Sequence, residues 1–182
     1  MAKRIITISR EFGSGGRFIG EEVAKKLGIA YYDKEMIGQI AEQAGLSSAY
    51  VRENAELSPK KGWFAYAFSG RDITGKSVED MVYEAQRKVI MEIAEKENCV
   101  IVGRNADFIL KDRKDVLNVF IHGSIPEKVR RICSLYNVTE VDAIKMINDI
   151  DKRRRTNYNF YTEQKWGMAE NYTMSLNSSV LG

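Results

Sequence analysis

Apolar runs alternate with amphipathic segments along the whole chain. The β-branched run RIITIS at 4–9 predicts a buried strand. Two further apolar runs, at 98–103 and 116–123, predict strands of the same kind, and shorter strands are predicted at 30–33 and 172–179. Because the longer runs are nearly all apolar, we expect a parallel sheet that is covered on both faces.

Helices are predicted between these strands. Apolar residues recur every four positions over 17–27, and 34–44 is also interpreted as a helix. A glycine follows each segment, which is a common C-terminal stop. Residues 77–97 carry one long apolar stripe and predict a longer helix. Two more helices are predicted at 124–136 and from 139 onwards, the last one with the run KRRR near its end.

Capping boxes support three of these helix starts, because a Ser or Thr is followed three residues later by an acidic side chain. They are Ser77–Asp80, Ser124–Glu127 and Thr139–Asp142. Strands that alternate with helices in this way predict an α/β fold.

Composition narrows the class of protein. The chain has 182 residues, 44% of them apolar, which is enough for a single globular domain. Its net charge of +3 is mildly basic, so small anions fit it as well as nucleic acids do. Cys99 and Cys133 have no metal-ligand spacing and are expected to be reduced core residues, and His122 is expected to be structural. No run is long enough to span a bilayer or to act as a signal peptide, so we expect a cytoplasmic protein without membrane contact.

A glycine-rich loop lies between the first strand and the first helix. Its residues are Gly13, Ser14, Gly15, Gly16 and Arg17. Backbone N–H groups at a helix start can bind phosphate, and glycines there let the phosphate come close because they have no Cβ. The same glycines would also suit a tight turn without a ligand. The loop departs from G-x-x-x-x-G-K-[ST]. Arg10 replaces the first glycine and Gly16 replaces the lysine, and no Ser or Thr follows; Arg17 is placed to supply a cation instead.

A basic run, Lys152 to Arg155, is the second candidate site. Cations near a helix C-terminus complement the helix dipole, while three consecutive arginines favour bidentate contacts to phosphate. Aromatic residues follow at 158–166. They would either stack on nucleic-acid bases or form a small core of their own.

Four segments together resemble one known family. They are ITISREFGSGGRFIGEEVAKKLGIAYYDKEMI, EAQRKVI, VIVGRNADFIL and IDKRRRTNYNFYTEQKWG, and they look like the cytidylate kinase-like family of P-loop kinases. The resemblance covers nearly the whole chain. It implies a three-layer α/β/α P-loop kinase fold with a parallel core sheet, an acceptor-binding helical insert and an arginine-rich lid. The implied core is 1–36, 77–136 and 168–182, the insert about 37–76 and the lid about 137–167.

The resemblance also implies a set of site residues. The glycine loop would bind ATP with Mg²⁺, whose protein ligand stays undetermined. The acceptor would be bound by Asp33, Arg87, Arg104, Asp151 and Arg154. The residues expected to act in catalysis are Arg17, Asp33, Arg153 and Arg154. Asp33 equally suits the N-cap of the helix at 34–44.

The leading hypothesis is an ATP-dependent phosphotransferase. It would transfer the γ-phosphoryl of ATP to a nucleoside monophosphate of the CMP or dCMP type, or to a related small acceptor. One alternative is a non-catalytic nucleotide-binding regulatory protein with the same fold, and a weaker one is a nucleic-acid-binding protein that uses the arginine run. Exposed positions of the helix at 77–97 would also permit a homodimer.

Overall fold

The computed structural model describes residues 5–45 and 78–181. Its strands are β1 (Ile5–Arg10), β2 (Ala30–Tyr32), β3 (Cys99–Val102), β4 (Val116–His122) and β5 (Met174–Asn177). Its helices are α1 (Gly16–Leu27), α2 (Lys34–Gln43), α3 (Val78–Lys96), α4 (Ala106–Ile109), α5 (Ile125–Tyr136), α6 (Glu140–Thr162) and α7 (Ser178–Leu181). A short 3₁₀ turn, Ala169–Asn171, precedes β5.

The five strands form one sheet in the order β2-β3-β1-β4-β5, and every neighbouring pair is parallel. The sheet is therefore the predicted α/β type. In the central strand, Ile8 is in register with Val102 on one side and Val119 on the other. All strands end at the same edge, where ligands bind in open α/β sheets.

Apolar side chains of α1 pack against the centre of the sheet. Ala24 joins Ile8 and Val102 in one buried cluster. Gly20 lets the helix approach closely, since a Cβ there would lie 2.8 Å from Val102 Cγ2. All four residues of β3 are buried, so this strand is covered on both faces as expected. Cys99 is one of them, and burial raises the pKa of its thiol to about 12, as suits a reduced core residue.

Contacts divide the chain into two compact units. The first consists of Met1–Asp33 and Lys96–Gly182, and it holds the sheet, α1 and the helices from α4 onwards. The second is Lys34–Glu95, of which α2 and most of α3 are described. Members of the apolar stripe predicted for 77–97 are buried, as at Val82 and Val89, and Ile37 of α2 is buried as well. The division into core, insert and lid stays a prediction because residues 46–77, including Ser77 and its capping box, lie outside the described residues.

The predicted helix starts at 124 and 139 are confirmed, but one capping bond is not. Thr139 accepts a hydrogen bond from the Asp142 backbone N–H at 3.2 Å. Ser124 is also an N-cap, yet its side chain makes no capping bond. Glu127 pairs with Arg130 one turn along instead of reaching back to the cap. The capping box predicted at 124–127 is therefore wrong in its side-chain bonds.

The basic run does not lie near a helix end. Helix α6 continues seven residues beyond Arg155 to Thr162 and ends at Glu163, which has a left-handed φ of 57°. The dipole explanation for the basic run fails because this effect falls off within the last turn. The aromatic residues predicted to follow the helix mostly belong to it. Tyr158 is buried and Phe160 is 72% exposed. No helix in the described ranges has both the length and the apolar character of a membrane span.

Candidate functional site

The loop between β1 and α1 has the backbone of an anion-binding turn. Gly13 and Gly15 have φ values of 81° and 80°, a region that favours glycine. Gly15 is the N-cap of α1, and no side chain caps this 12-residue helix. N–H groups in the first turn of a helix lack intrahelical acceptors and carry a partial positive charge. Together with the left-handed glycines they form the kind of concave nest that binds phosphate.

Helix α5 supports this loop from one side. Glu11 accepts hydrogen bonds from Lys128 Nζ at 2.9 Å and from the Gly123 backbone N–H at 3.3 Å. The Lys128 side chain is only 4% exposed, so this ion pair is largely shielded from water. Arg131 Nη1 donates to the carbonyl oxygen of Gly13 at 2.6 Å. The loop is thus held by two cations of α5, neither of which the sequence pattern had indicated.

Helix α6 supports the first half of the loop through Asp151 and Arg154. The Phe12 backbone N–H donates to Asp151 Oδ1 at 2.7 Å, and Arg154 Nη1 donates to the carbonyl oxygen of Arg10 at 3.0 Å. Burial raises the pKa of Asp151, while the Phe12 bond, Arg154 and Lys128 lower it. The two predicted lid residues therefore lie at the loop, where they hold its backbone.

The Arg10 side chain runs across the carboxyl edge of the sheet. It leaves the end of β1 beneath Gly16, where a Cβ would lie 2.6 Å from Arg10 Cβ. Its Nη1 reaches Gly103, just beyond β3, where a Cβ would lie 2.1 Å away. Burial, followed by the charges of Arg154 and Arg104, lowers the pKa of Arg10 to about 9. Arg10 thus lies among three guanidiniums, and its one signal in the sequence is that it departs from the usual loop pattern.

Arg104 and Asp33 follow neighbouring strands at this edge. Arg104 comes two residues after β3 and has a left-handed φ of 58°. Asp33 follows β2, is 5% exposed, and raises the pKa of Arg10 through its charge. Arg17 Nη2 lies 2.9 Å from Asp33 Oδ2. In this structure Arg17 therefore pairs with the predicted acceptor aspartate instead of extending along the loop.

Arg153 and Arg155, the other arginines of the basic run, contact parts of the chain other than the loop. Arg153 is exposed, and its Nε contacts the carbonyl oxygen of Asp149 at 3.4 Å. Arg155 is exposed as well, with its guanidinium 5.8 Å from the ring of Trp166. Arg87 is exposed on α3, in the second unit. Within the basic run, only Arg154 has a recorded contact with the loop, and the catalytic roles assigned to Arg17 and Arg153 stay predictions.

A buried polar network lies behind the cluster. Asp107, on α4, accepts hydrogen bonds from Ser9 Oγ at 3.1 Å and from Tyr158 Oη at 2.8 Å. Burial raises the pKa of Asp107, and these hydrogen bonds lower it again in part. The network connects β1, α4 and α6 without exposed charge. The sequence gives little indication of this network, because Ser9, Asp107 and Tyr158 lie far apart in the chain and no regular spacing connects them.

The described residues include no group of three or more His, Cys, Asp or Glu side chains that could enclose a metal ion. Mg²⁺ at phosphoryl-transfer sites is usually held by phosphate oxygens and water with one or two carboxylates. Such a site needs no protein cage, so this finding leaves Mg²⁺ compatible with the loop. Asp33, at the end of β2, is the carboxylate that suits this role.

Two solved structures that share this fold are kinases. A shikimate kinase from Bacteroides thetaiotaomicron matches with a TM-score of 0.54 at 16% identity, covering 97% of this chain and 87% of that one. A gluconokinase from Sinorhizobium meliloti matches with a TM-score of 0.53 at 14% identity, covering 96% and 82%. At such low identity these likenesses show the fold alone, which is the P-loop kinase fold.

The sequence identifies the family to which the chain belongs. Residues 5–180 match the cytidylate kinase-like family, and the chain belongs to it. An uncharacterized protein from Eubacterium ventriosum is similar in structure, with a TM-score of 0.74 at 29% identity, covering 96% of this chain and 88% of that one. A comparison with curated proteins gives no match. Family and fold together support a phosphotransferase of the P-loop kinase class.

Proposed function

We propose that this protein transfers the γ-phosphoryl group of ATP to a small acceptor, with a nucleoside monophosphate of the CMP or dCMP type as the first candidate. One observation carries the proposal: the glycine nest and the guanidiniums of Arg10, Arg104 and Arg154 converge at the carboxyl edge of one parallel sheet. Like charges held this close favour a polyanionic ligand, which offsets their repulsion. Triphosphates and nucleoside monophosphates are such ligands.

The donor side of the site is the loop. Backbone N–H groups around Gly13 and Gly15, with the start of α1, would hold the β-phosphate. Mg²⁺ supplies charge neutralisation at the β- and γ-oxygens when it is bound. Lys128, Arg131 and Asp151 keep the loop backbone in shape through the bonds described above. Their role is to position the loop.

The acceptor side lies at the ends of β2 and β3. Arg104 is placed to bind an acceptor phosphate, and Asp33 to accept a hydrogen bond from an acceptor hydroxyl. The ion pair between Arg17 and Asp33 would open as the acceptor enters, which would release the Arg17 guanidinium towards the phosphates. Arg17 is 59% exposed and its side chain can move at little cost in packing.

Transfer then requires alignment more than covalent help. An acceptor oxygen attacks the γ-phosphorus as the bond from that phosphorus to the β–γ bridging oxygen breaks. The products are ADP and the phosphorylated acceptor. The guanidiniums would stabilise the charge spread over the equatorial oxygens during this step.

A regulatory nucleotide-binding protein is the second candidate. Two observations favour it: glycine stands at position 16 in place of a lysine, and Arg17 is engaged with Asp33. Under this proposal ATP would bind without turnover on any acceptor.

A coupled assay of ADP release separates the two candidates. The panel would contain ATP with Mg²⁺ and CMP, dCMP, other nucleoside monophosphates, shikimate and gluconate. We expect turnover with at least one nucleoside monophosphate, and a loss of kcat/KM of roughly 10²–10³ in Arg104→Ala, as for other lost charge-stabilising donors. The exposed Arg130→Ala is the matched control. Tight ATP binding without turnover on the panel would favour the regulatory protein.

A further inference from the structure

Arg10 and Gly16 look like a reciprocal exchange of side chains within one loop. The usual P-loop has a glycine at its first position and a lysine seven positions into the motif. This chain has an arginine first and a glycine at the place of the lysine. The cationic residue and the glycine have exchanged positions, so the loop still contains one of each.

We propose that Arg10 is the phosphate-binding cation of this loop and that it contacts the terminal phosphates of a nucleoside triphosphate in place of a lysine at position 16. This inference rests on the proposed ATP site, and it names the residue that takes over the role of the absent lysine. It concerns the last residue of β1, rather than Arg17 or the basic run.

Packing forces the exchange to be reciprocal. Any side chain at position 16 would begin 2.6 Å from Arg10 Cβ and 2.9 Å from Arg10 Cγ, distances that real Cβ atoms do not show. Gly16 is therefore required wherever Arg10 takes this path. Gly103 is required at the other end, because a Cβ there would lie 2.1 Å from Arg10 Nη1. Two glycines thus line the passage of one guanidinium from the loop to the end of β3.

The charges around Arg10 also favour an anion. Arg104 and Arg154 lie near enough to lower the pKa of its guanidinium, and burial lowers it further. Asp33 and Tyr31 raise the pKa of Arg10, but each has a smaller effect than either arginine. Arg154 has Asp151 Oδ1 at 3.5 Å, yet the pKa of the Arg10 guanidinium is still lowered, so a further negative charge beside that buried guanidinium would stabilise it. Phosphate oxygens are suited to that place because guanidinium and phosphate form charge-assisted, bidentate hydrogen bonds.

Other cations of the loop region have structural partners in this structure. Arg131 donates to the Gly13 carbonyl oxygen, and Lys128 is paired with Glu11. Arg17 is paired with Asp33. Within residues 5–45 and 78–181 the Arg10 guanidinium makes no hydrogen bond or ion pair, so a phosphate could contact it without breaking one of these.

The test measures binding of ATP and of inorganic tripolyphosphate by titration calorimetry, so it does not depend on turnover. Arg10→Gln keeps most of the side-chain volume and removes the charge. We expect it to weaken the binding of both ligands roughly 10- to 100-fold, as a lost charged hydrogen bond does. The melting temperature of the free protein should not fall, because the charge that is removed is disfavoured by burial and by two neighbouring arginines. Arg130→Gln, which removes an exposed guanidinium from α5, should bind both ligands as the wild type does.

A swap variant tests the exchange itself. Arg10→Gly alone should bind as weakly as Arg10→Gln, and Gly16→Lys alone should be destabilised by its clash with Arg10. The double variant Arg10→Gly/Gly16→Lys restores the usual loop pattern and should recover most of the lost affinity. Recovery would support the proposal because a purely structural role of Arg10 predicts no rescue by a lysine elsewhere. Weak binding by a folded double variant would overturn it.

The outcomes separate this inference from the proposed function. Unchanged tripolyphosphate binding in Arg10→Gln would overturn the role of Arg10 and leave the kinase proposal standing. Reduced binding in Arg10→Gln, with no turnover of the wild type on any acceptor, would support Arg10 and overturn the kinase. A wild type that binds neither ATP nor tripolyphosphate would overturn both.

Discussion

At the scale of single residues, Asp33 and Arg104 lie at one edge of the sheet because each follows a strand of the same parallel sheet. The paths of Arg10 and Arg131 could not be predicted in the same way, because the direction of a long side chain depends on neighbours far away in sequence. Gly103 lies 93 positions after Arg10 in the chain, and no local periodicity connects the two.

Asp107 gives a prediction about pH. Burial raises the pKa of Asp107 above its ordinary value near 4. At pH values between the ordinary and the raised pKa, Asp107 is protonated in the folded state and ionised in the unfolded state. Stability therefore falls as the pH rises through this window and is constant above it. In Asp107→Asn this contribution is absent. We expect the free energy of unfolding of the wild type, relative to Asp107→Asn, to decrease from about pH 4 upwards and then to level off.

Urea denaturation at a series of pH values measures this difference. Asp112→Asn, at an exposed position, is the control and should show a difference from the wild type that varies little with pH. If the free energy of unfolding of the wild type, relative to Asp107→Asn, did not change with pH, the raised pKa of Asp107 would be contradicted. An increase of this difference with rising pH would contradict it as well.

At the scale of elements, every helix predicted from apolar spacing is present in the described ranges. The ends were less predictable. The basic run suggested a C-terminus near residue 155, but α6 continues because Tyr158 and Thr162 have buried positions to occupy. Tertiary contacts thus prolong a helix that local signals would end. The short α4 was missed, since four residues are too few to show a period.

The two N-caps give a second prediction. Thr139 makes its capping bond and Ser124 does not. Thr139→Ala should lower the free energy of unfolding by about 1 kcal/mol, the usual loss for an N-cap. Ser124→Ala should change it by less than half as much, because only the Ser124 backbone is engaged, through its N–H to Ser179 Oγ. Urea denaturation of both variants measures the comparison, and equal losses would show that the capping bond of Thr139 adds no stability.

At the scale of the molecule, fold class and family were predictable while ligand identity was not. Alternating elements determine an α/β sheet, and the quoted motifs cover nearly the whole chain, so both expectations are confirmed. Recognition of an acceptor depends on a few side chains, and most of the predicted acceptor-binding insert, 37–76, lies outside the described residues. A phosphate-binding frame accepts many partners, as the shikimate kinase and gluconokinase with this fold illustrate.

Ligand binding should therefore be visible as a change in the stability of the whole chain. ATP at 100 times its dissociation constant should raise the free energy of unfolding by about 2.7 kcal/mol through mass action. For a chain of this size the melting temperature should rise by about 5–10 °C. Adenosine, which has no phosphates, is the matched control and should give a much smaller rise in scanning fluorimetry. Equal shifts with both ligands would mean that the base, and not the phosphates, supplies the affinity.

The two bonds from Asp151 and Arg154 to the backbone at residues 10–12 have a mechanical consequence. An outward movement of α6 at residues 151–154 would strain or break these bonds to the glycine loop. If the loop binds a triphosphate as proposed, such a movement would also disturb the backbone that contacts the phosphates.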